Sequence, residues 1–278
     1  MKKLFDELSF QVSKATTEKY STSFSLGILS LDSCIRPAVY AIYGYVRLAD
    51  EIVDSFHSYD KHKLLQRFKE QTHQALEEKI SLNPILQSFQ ETVNRYDIDH
   101  GLIEQFLHSM EMDLNPTEYN TEKYKEYILG SAEVVGLMCL QVFVEGDKTA
   151  YELLKPYAMK LGSAFQKVNF LRDLKDDYQI LGRTYFPDVD MAVFDNSIKS
   201  AIEADIHAEF REALIGIKKL PASARFGVYL AYKYYLSLFK KIRRLPAQRI
   251  LCERIRIPNG RKVSLMMQSY VAYKMAIM

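Results

Sequence analysis

The chain of 278 residues contains no tryptophan, few turn-forming residues (11 glycines and 8 prolines) and only three cysteines. So little glycine and proline in a chain of this length favours long helices over many short strands. The cysteines, Cys34, Cys139 and Cys252, are scattered and odd in number. This argues against a disulfide framework and predicts a reducing compartment.

Charge and hydropathy exclude two further classes. The 37 basic and 35 acidic residues give a formal net charge of +2, so no electrostatic footprint for nucleic acid is present. The N-terminus reaches an acidic residue at Asp6 and has no apolar core of a signal peptide. No uncharged apolar run reaches the roughly 18 residues that span a bilayer. We therefore expect a soluble, cytoplasmic protein.

Apolar residues recur at intervals of three and four along most of the chain, which predicts an all-α fold. There is no internal repeat and no Ser-, Gly- or Pro-rich linker, so residues 1–278 are expected to form a single domain. Pro156 is expected either to kink its helix or to start a new one. The predicted helices cover roughly residues 3–15, 34–57, 61–79, 83–95, 101–113, 122–145, 148–181, 195–218, 222–242 and 259–277.

Two of these helices carry a polar stripe inside apolar sequence. The spacings of three and four place the members of each stripe on one helix face. Arg172 and Asp176 lie beside the face that carries the second stripe and are not members of it. The members are Tyr40, Tyr43, Arg47, Asp50 and Asp54 in the first stripe, and Gln166, Asn169, Asp173 and Asp177 in the second.

Each stripe contains two aspartates one helical turn apart. Such a pair repels, and burying it is costly unless a cation compensates. One pair alone is better explained by a solvated helix face, but two pairs in apolar surroundings favour a site. Mg²⁺ suits them because it binds one or two carboxylates together with substrate phosphates. With Arg47 and Arg172 nearby, the pattern predicts a diphosphate clamp.

The chemistry that fits such a clamp is the ionisation of an allylic diphosphate, in which metal and arginine take up the charge of the leaving group. The resulting carbocation must be shielded from water by an apolar, aromatic-lined cavity. The chain has 19 tyrosines and 15 phenylalanines, most of which are expected to be ordinary core residues.

Four segments resemble the squalene/phytoene synthase family. Residues 21–25, Ser-Thr-Ser-Phe-Ser, followed by 41–54, are similar to its first signature. Residues 169–177, followed by 182–187, are similar to its second. The mid-chain and C-terminal matches include Met110, Asp113, Leu114, Tyr127, residues 131–136 and residues 254–262.

The resemblance implies an all-α isoprenoid-synthase bundle with a central cavity that joins two prenyl diphosphates head to head. The expected reaction converts two geranylgeranyl diphosphates into phytoene through a cyclopropyl diphosphate. A squalene or dehydrosqualene synthase using farnesyl diphosphate is the nearest alternative. A terpene cyclase, a chain-elongating prenyltransferase and a non-catalytic protein of the same fold are more distant ones. No nicotinamide-binding segment is visible, so no NADPH requirement is expected.

The resemblance also implies roles for individual residues. Mg²⁺, or Mn²⁺ in its place, is expected on the four aspartates Asp50, Asp54, Asp173 and Asp177 and on Asn169. Asn169 together with Gln166 is expected to support the metal, or to bind the diphosphate or the intermediate. Diphosphate is expected on Arg47 and Arg172, and on Arg254 or Arg256 from the C-terminal end. The residues expected to line or cover the site are Tyr43, Tyr127, Tyr185, Ser21, Ser23 and Phe24.

Two features are not explained by the family resemblance: a substituted residue and a basic cluster. Glu133 stands where relatives commonly have glycine, with an effect that the sequence leaves open. The basic residues between Lys240 and Lys262 form the main charge cluster, which fits either a solvated helix end or attraction to an anionic leaflet. On the second interpretation the protein associates peripherally with the inner face of the membrane. Substrate chain length and oligomeric state stay open.

Overall fold

A computed structural model describes residues 1–115, 119–179, 185–187, 189 and 193–275, without the side chains of residues 179, 259 and 274. Within these ranges the regular structure is helical, with no strand, and the chain forms a single-domain bundle. The helices are α1 (Lys2–Tyr20), α2 (Thr22–Leu29), α3 (Arg36–Asp54), α4 (Lys61–Glu78), α5 (Pro84–Tyr96), α6 (His100–Leu114), α7 (Thr121–Ile128), a π-helical turn (Leu129–Glu133), α8 (Val134–Phe143), α9 (Lys148–Gln179), α10 (Asn196–Lys219), α11 (Ala222–Arg243), α12 (Ala247–Ile250) and α13 (Asn259–Lys274).

The all-α prediction is confirmed, and the ten predicted helices correspond to helical stretches of the bundle. The stretch predicted at 122–145 contains the π-helical turn. The sequence does not predict α2 and α12, because helices of eight and four residues contain too few turns to establish a period. Pro156 lies inside α9 and does not start a new helix. Residues 180, 181 and 182–184, where the predicted helix end and part of the following loop fall, lie outside the described residues, as do 276 and 277.

Several helices begin where the sequence provides a capping side chain. Asp60 accepts a hydrogen bond from the backbone N–H of Lys63 at the start of α4, and Asp195 caps α10 in the same way. Pro37 lies in the first turn of α3, where a missing N–H is tolerated. These local signals fix the first residues of α3, α4 and α10, of which α3 and α10 line the cavity described below.

The core consists of two large apolar clusters. One is built mainly from α3, α5, α6 and α8, and the other mainly from α9, α10 and α11. Among the described residues one helical run, Thr121–Phe143, is long and apolar enough to cross a membrane. Because 56% of its most apolar stretch is buried inside the bundle, core packing accounts for its composition. The cavity that contains the site is lined by residues of both clusters.

Candidate active site

A cavity of about 570 Å³ lies inside the bundle, with walls from α2, α3, α8, α9, α10 and α11. It gathers every site residue predicted from the sequence except Tyr127 and Ser23. The predicted residues in its walls are Ser21, Tyr43, Arg47, Asp50, Asp54, Gln166, Asn169, Arg172, Asp173, Asp177, Tyr185 and Arg254. The two polar stripes of α3 and α9 therefore belong to one site.

The first acidic pair, Asp50 and Asp54, lies one turn apart on α3. Burial, reinforced by the neighbouring charge of Asp54 and by Asp113, raises the pKa of Asp50 to about 8, although Arg47 acts in the opposite direction. The guanidinium of Arg47 is 4.0 Å from the Asp50 carboxylate and is in direct contact with Glu51. The raised pKa means that a charge on Asp50 is costly in this wall, and a bound cation would lower that cost.

Arg47 is held in place by two neighbours. Its guanidinium lies 4.4 Å from the centre of the Tyr20 ring and contacts the carboxylate of Glu51. The Nε atom of Arg47 is buried and has no hydrogen-bond partner among the described residues. A buried donor of this kind is costly unless a ligand satisfies it. An anionic group in the cavity is the natural acceptor.

The second acidic pair, Asp173 and Asp177, lies near the C-terminal end of α9. Arg172 Nε donates a 3.0 Å hydrogen bond to Asp173 Oδ1, and Arg254 Nε lies 2.7 Å from the same oxygen. Arg256 is exposed and contributes only its backbone carbonyl, which accepts a 2.7 Å hydrogen bond from Lys241. Of the two candidates left open by the sequence, Arg254 is the one that lines the cavity.

The donor chemistry of the two pairs fits a hard cation. Across the described parts of the chain, no group of three His, Cys, Asp or Glu side chains converges into a metal cage. Each helix instead offers two carboxylates. Mg²⁺ commonly binds to one or two carboxylates, while phosphate and water oxygens complete its octahedral coordination. The residues that would hold the ion are Asp50 and Asp54 on one helix and Asp173 and Asp177 on the other, with Asn169 in the same wall.

An aromatic group closes the cavity beside the second pair. The rings of Phe165 and Tyr235 stack at 3.9 Å, and Phe24 lies 5.6 Å from Tyr43 and 5.7 Å from Tyr235. The Tyr235 hydroxyl donates a 3.3 Å hydrogen bond to Oδ1 of Asn169. Tyr235 had no signal in the sequence, whereas Phe165 is four residues before Asn169 and shares its face of α9.

Tyr127 and Ser23 lie outside the cavity wall. Tyr127 is buried behind Tyr185, with the two ring centres 5.1 Å apart. Contrary to the expectation from the sequence, it therefore does not line the cavity. Ser23 is partly buried on α2, while Ser21 lines the cavity and caps this helix by accepting a 3.2 Å hydrogen bond from the backbone N–H of Phe24. Ser21 rather than Ser23 is the hydroxyl next to the site.

Gln166 links the second stripe to the π-helical turn. Its side-chain nitrogen donates a 3.3 Å hydrogen bond to the Ser131 hydroxyl, and its oxygen accepts one from Asn169 at the same distance. Both Ser131 and Gln166 line the cavity. The bonds fix the amide of Asn169 between Gln166 and Tyr235, which orients it beside the aspartates of α9.

Glu133 ends the π-helical turn and does not line the cavity. It lies beside a buried ionic group in which Glu209 accepts hydrogen bonds from Ser163 at 2.9 Å and from Lys167 at 2.9 Å. Burial and the charge of Glu209 raise the pKa of Glu133 to about 7, against the opposing effect of Lys160 and Lys167. The carboxylate that departs from the family pattern therefore lies where the π-helical turn packs on α9, within the electrostatic influence of Glu209 on α10.

The far end of the cavity is apolar. Its walls there include Leu154 and Tyr157 of α9 together with Phe143, Gly216 and Leu220. Gly216 allows close packing, because a Cβ atom at that position would lie 2.2 Å from Cβ of Tyr157. With a rise of about 1.5 Å per residue, Tyr157 lies roughly 24 Å along α9 from Asp173. The site is thus charged at one end and hydrocarbon-like over a long distance from it.

Comparisons with known proteins agree with this geometry. The squalene/phytoene synthase family profile matches residues 17–261. Among curated proteins, phytoene synthase of Arthrospira platensis is 27% identical over 239 residues, covering 82% of this chain and 73% of the relative. A 4,4'-diapophytoene synthase of Staphylococcus haemolyticus is 28% identical over 202 residues, covering 72% of this chain and 69% of the relative.

Solved structures show the same fold at lower identity. A dehydrosqualene synthase crystallised with a ligand superposes with a TM-score of 0.84 at 22% identity, covering 97% of this chain and 98% of the other. A squalene synthase from Alicyclobacillus acidocaldarius superposes with a TM-score of 0.73 at 21% identity, covering 85% and 93%. The helical bundle found here is therefore the fold of these structures.

Proposed function

Because this chain belongs to the squalene/phytoene synthase family, we propose that it condenses two geranylgeranyl diphosphates head to head into phytoene through a cyclopropyl diphosphate. The observation that carries the proposal is the composition of the one cavity. Two aspartate pairs, the arginines and a long apolar wall meet there. Loss of diphosphate followed by carbon–carbon bond formation requires this combination.

The charged end provides the binding of diphosphate. Arg47 contributes a buried Nε donor that lacks a protein partner within the described residues. Arg172 and Arg254, which contact Asp173, offer further donors of the kind that forms strong bonds to phosphate oxygens. Mg²⁺ held by the aspartate pairs would supply Lewis-acid assistance to the departing diphosphate.

The aromatic and apolar walls protect the reacting carbons. The faces of Phe165, Tyr235 and Phe24 border the cavity next to the charged end, where a ring face attracts a cation electrostatically. The apolar lining beyond them excludes water, so that a carbocation is captured by the double bond of the second prenyl chain rather than quenched by water to an alcohol. The same walls accept the two hydrocarbon tails.

The length of the cavity supports the choice of geranylgeranyl diphosphate. Its 16 main-chain carbons span roughly 20 Å at about 1.25 Å per carbon, against roughly 15 Å for farnesyl diphosphate. The path from Asp173 to Leu154, which also lines the cavity, is roughly 28 Å along α9 and leaves about 8 Å for the diphosphate and its ion. The curated relative named 4,4'-diapophytoene synthase, at 28% identity, makes the farnesyl reaction the second candidate.

Product analysis tests the proposal. Purified protein is incubated with Mg²⁺ and either diphosphate, with and without NADPH, and the extracted hydrocarbons are identified by mass spectrometry. We expect phytoene from geranylgeranyl diphosphate, independent of NADPH and lost on treatment with EDTA. A C30 hydrocarbon alone would favour the farnesyl reaction, and no hydrocarbon from either substrate would contradict the proposal.

Three aspartate variants show whether the product depends on the predicted residues. Asp54→Ala and Asp173→Ala each remove one carboxylate from a pair and are expected to lower turnover by about 100-fold or more. Asp176→Ala is the matched control, because Asp176 is next to Asp177 on α9 but does not line the cavity. Equal losses in all three variants would contradict the assignment of the pairs.

A further inference from the structure

Helix α13 is apolar on two opposite faces. On one face Leu265 packs with Leu230 and Tyr234 of α11, and the Tyr273 ring lies 5.2 Å from Phe226. The other face is a line of four apolar side chains, each four residues after the last, whose exposed fractions are 52%, 60%, 52% and 63%: Val263, Met267, Val271 and Met275. A helix that is apolar on both sides is normally buried on both sides.

A group of cations lies at one end of this apolar line. Because Phe226 contacts Tyr273 whereas Tyr234, further along α11, packs with Leu265, α13 runs antiparallel to α11 and begins beside its C-terminal end. Lys241 at that end donates a 2.7 Å hydrogen bond to the carbonyl of Arg256. The exposed basic residues there are Lys240, Lys241, Arg243, Arg244, Arg256 and Arg261.

We propose that the α13 line and this basic group together dock the protein on an anionic lipid bilayer. An amphipathic helix with cations beside an apolar face is typical of proteins that lie in the interface plane. The charge favours lipid over a second copy of the chain, because an isologous dimer uses the same patch on both copies and would bring the basic groups of both into one interface. Anionic headgroups instead attract each nearby Lys or Arg.

The position of α13 connects the docking face to the cavity. Leu26 of α2 and Met266 of α13 pack on the same small cluster as Leu230. On their other sides α2 and α11 line the cavity through Gly27 and Gly227, which approach so closely that a Cβ on Gly227 would lie 2.7 Å from the Gly27 carbonyl. If the proposed function holds, a hydrocarbon product is released one helix away from the membrane, but the docking itself does not depend on that reaction.

Flotation with vesicles tests the proposal on the full chain. The vesicles contain equal amounts of phosphatidylcholine and phosphatidylglycerol, or phosphatidylcholine alone. Met267→Glu/Val271→Glu is expected to lower binding to the anionic vesicles by at least tenfold. The matched control is Leu4→Glu/Leu8→Glu, which makes the same change at two exposed positions of α1 and is expected to bind like the parent.

A second variant tests the basic group. Lys240→Gln/Arg244→Gln is expected to lose about fivefold in affinity for anionic vesicles per charge removed, with no change on neutral ones. Circular dichroism confirms that each variant is folded, and light scattering measures its mass. Parent protein that does not float, α13 variants that float like the parent, or a dimer dissociated by Met267→Glu/Val271→Glu would each overturn the proposal.

Discussion

The hydroxyl of Tyr127 donates a 2.8 Å hydrogen bond to Oδ2 of Asp113. The second oxygen of the same buried carboxylate accepts a 3.2 Å hydrogen bond from Tyr185. Tyr185 lines the cavity, and its ring stacks on Phe170 at 4.2 Å. Asp113 thus does not line the cavity itself but holds Tyr185, a side chain that does.

Asp113 is therefore expected to act as a positioning residue. Asp113→Asn keeps the volume of the side chain but replaces one acceptor oxygen with a donor, so that one of the two tyrosine hydroxyls must accept instead of donate and both lose their hydrogen bond to a charged carboxylate. We expect kcat to fall by about tenfold, equivalent to about 1.4 kcal/mol, while KM changes little. Steady-state kinetics on the product assay measures both constants.

A double-mutant cycle with Tyr127→Phe distinguishes positioning from a general loss of folding. If Asp113 acts through the tyrosines, the effects of Asp113→Asn and Tyr127→Phe on kcat are less than additive. Additive losses of kcat, or a rise in KM with kcat unchanged, would contradict this role. The melting temperature of each variant provides the control for stability.

Arg254 and Arg256 form a natural pair of variants. Arg254 lies 2.7 Å from Asp173 and lines the cavity, whereas Arg256 does not line it and offers a backbone carbonyl to Lys241. We expect Arg254→Gln to lower kcat/KM by about 10- to 100-fold, in keeping with about 1.5–3 kcal/mol for a hydrogen bond to a charged group. Arg256→Gln is expected to stay within about twofold of the parent enzyme. A larger effect at residue 256 would reverse the assignment.

Helical periodicity explains which parts of the site the sequence predicts. Asp50 and Asp54 lie on one face of α3 because residues four apart always do, and the same rule places Asn169 beside Asp173. No spacing relates Asp113 to Tyr185, which meet only because α6 and the segment after α9 pack together. Arg254 and Arg256 lie between helices α12 and α13, where no period exists, so only the structure distinguishes them.

The far end of the cavity is expected to control substrate length. Tyr157 lies roughly 24 Å along α9 from Asp173, and Tyr157→Ala would extend the apolar space beyond it. We expect this variant to accept a C25 diphosphate that the parent enzyme uses poorly, while it still forms the C40 product. Tyr151→Ala is the control, since Tyr151 is on the same helix but does not line the cavity. Mass analysis of the products gives the result, and an unchanged preference would place the limit on length elsewhere.

Glu133 is expected to make stability depend on pH. Its pKa of about 7 in the folded chain lies above the usual value of 4.5, so between these values the folded state binds more protons than the unfolded state. The free energy of unfolding therefore decreases as pH rises from about 4.5 to about 7 and is level above that range.

Glu133→Gln removes this pH-dependent loss of stability and is expected to be more stable than the parent by about 1–2 kcal/mol at pH 8, with little difference at pH 4.5. Urea unfolding at both pH values measures the change, with Glu152→Gln as an exposed control on α9. A variant that is equally stabilised at both pH values would show that the effect is due to packing rather than to the charge beside Glu209.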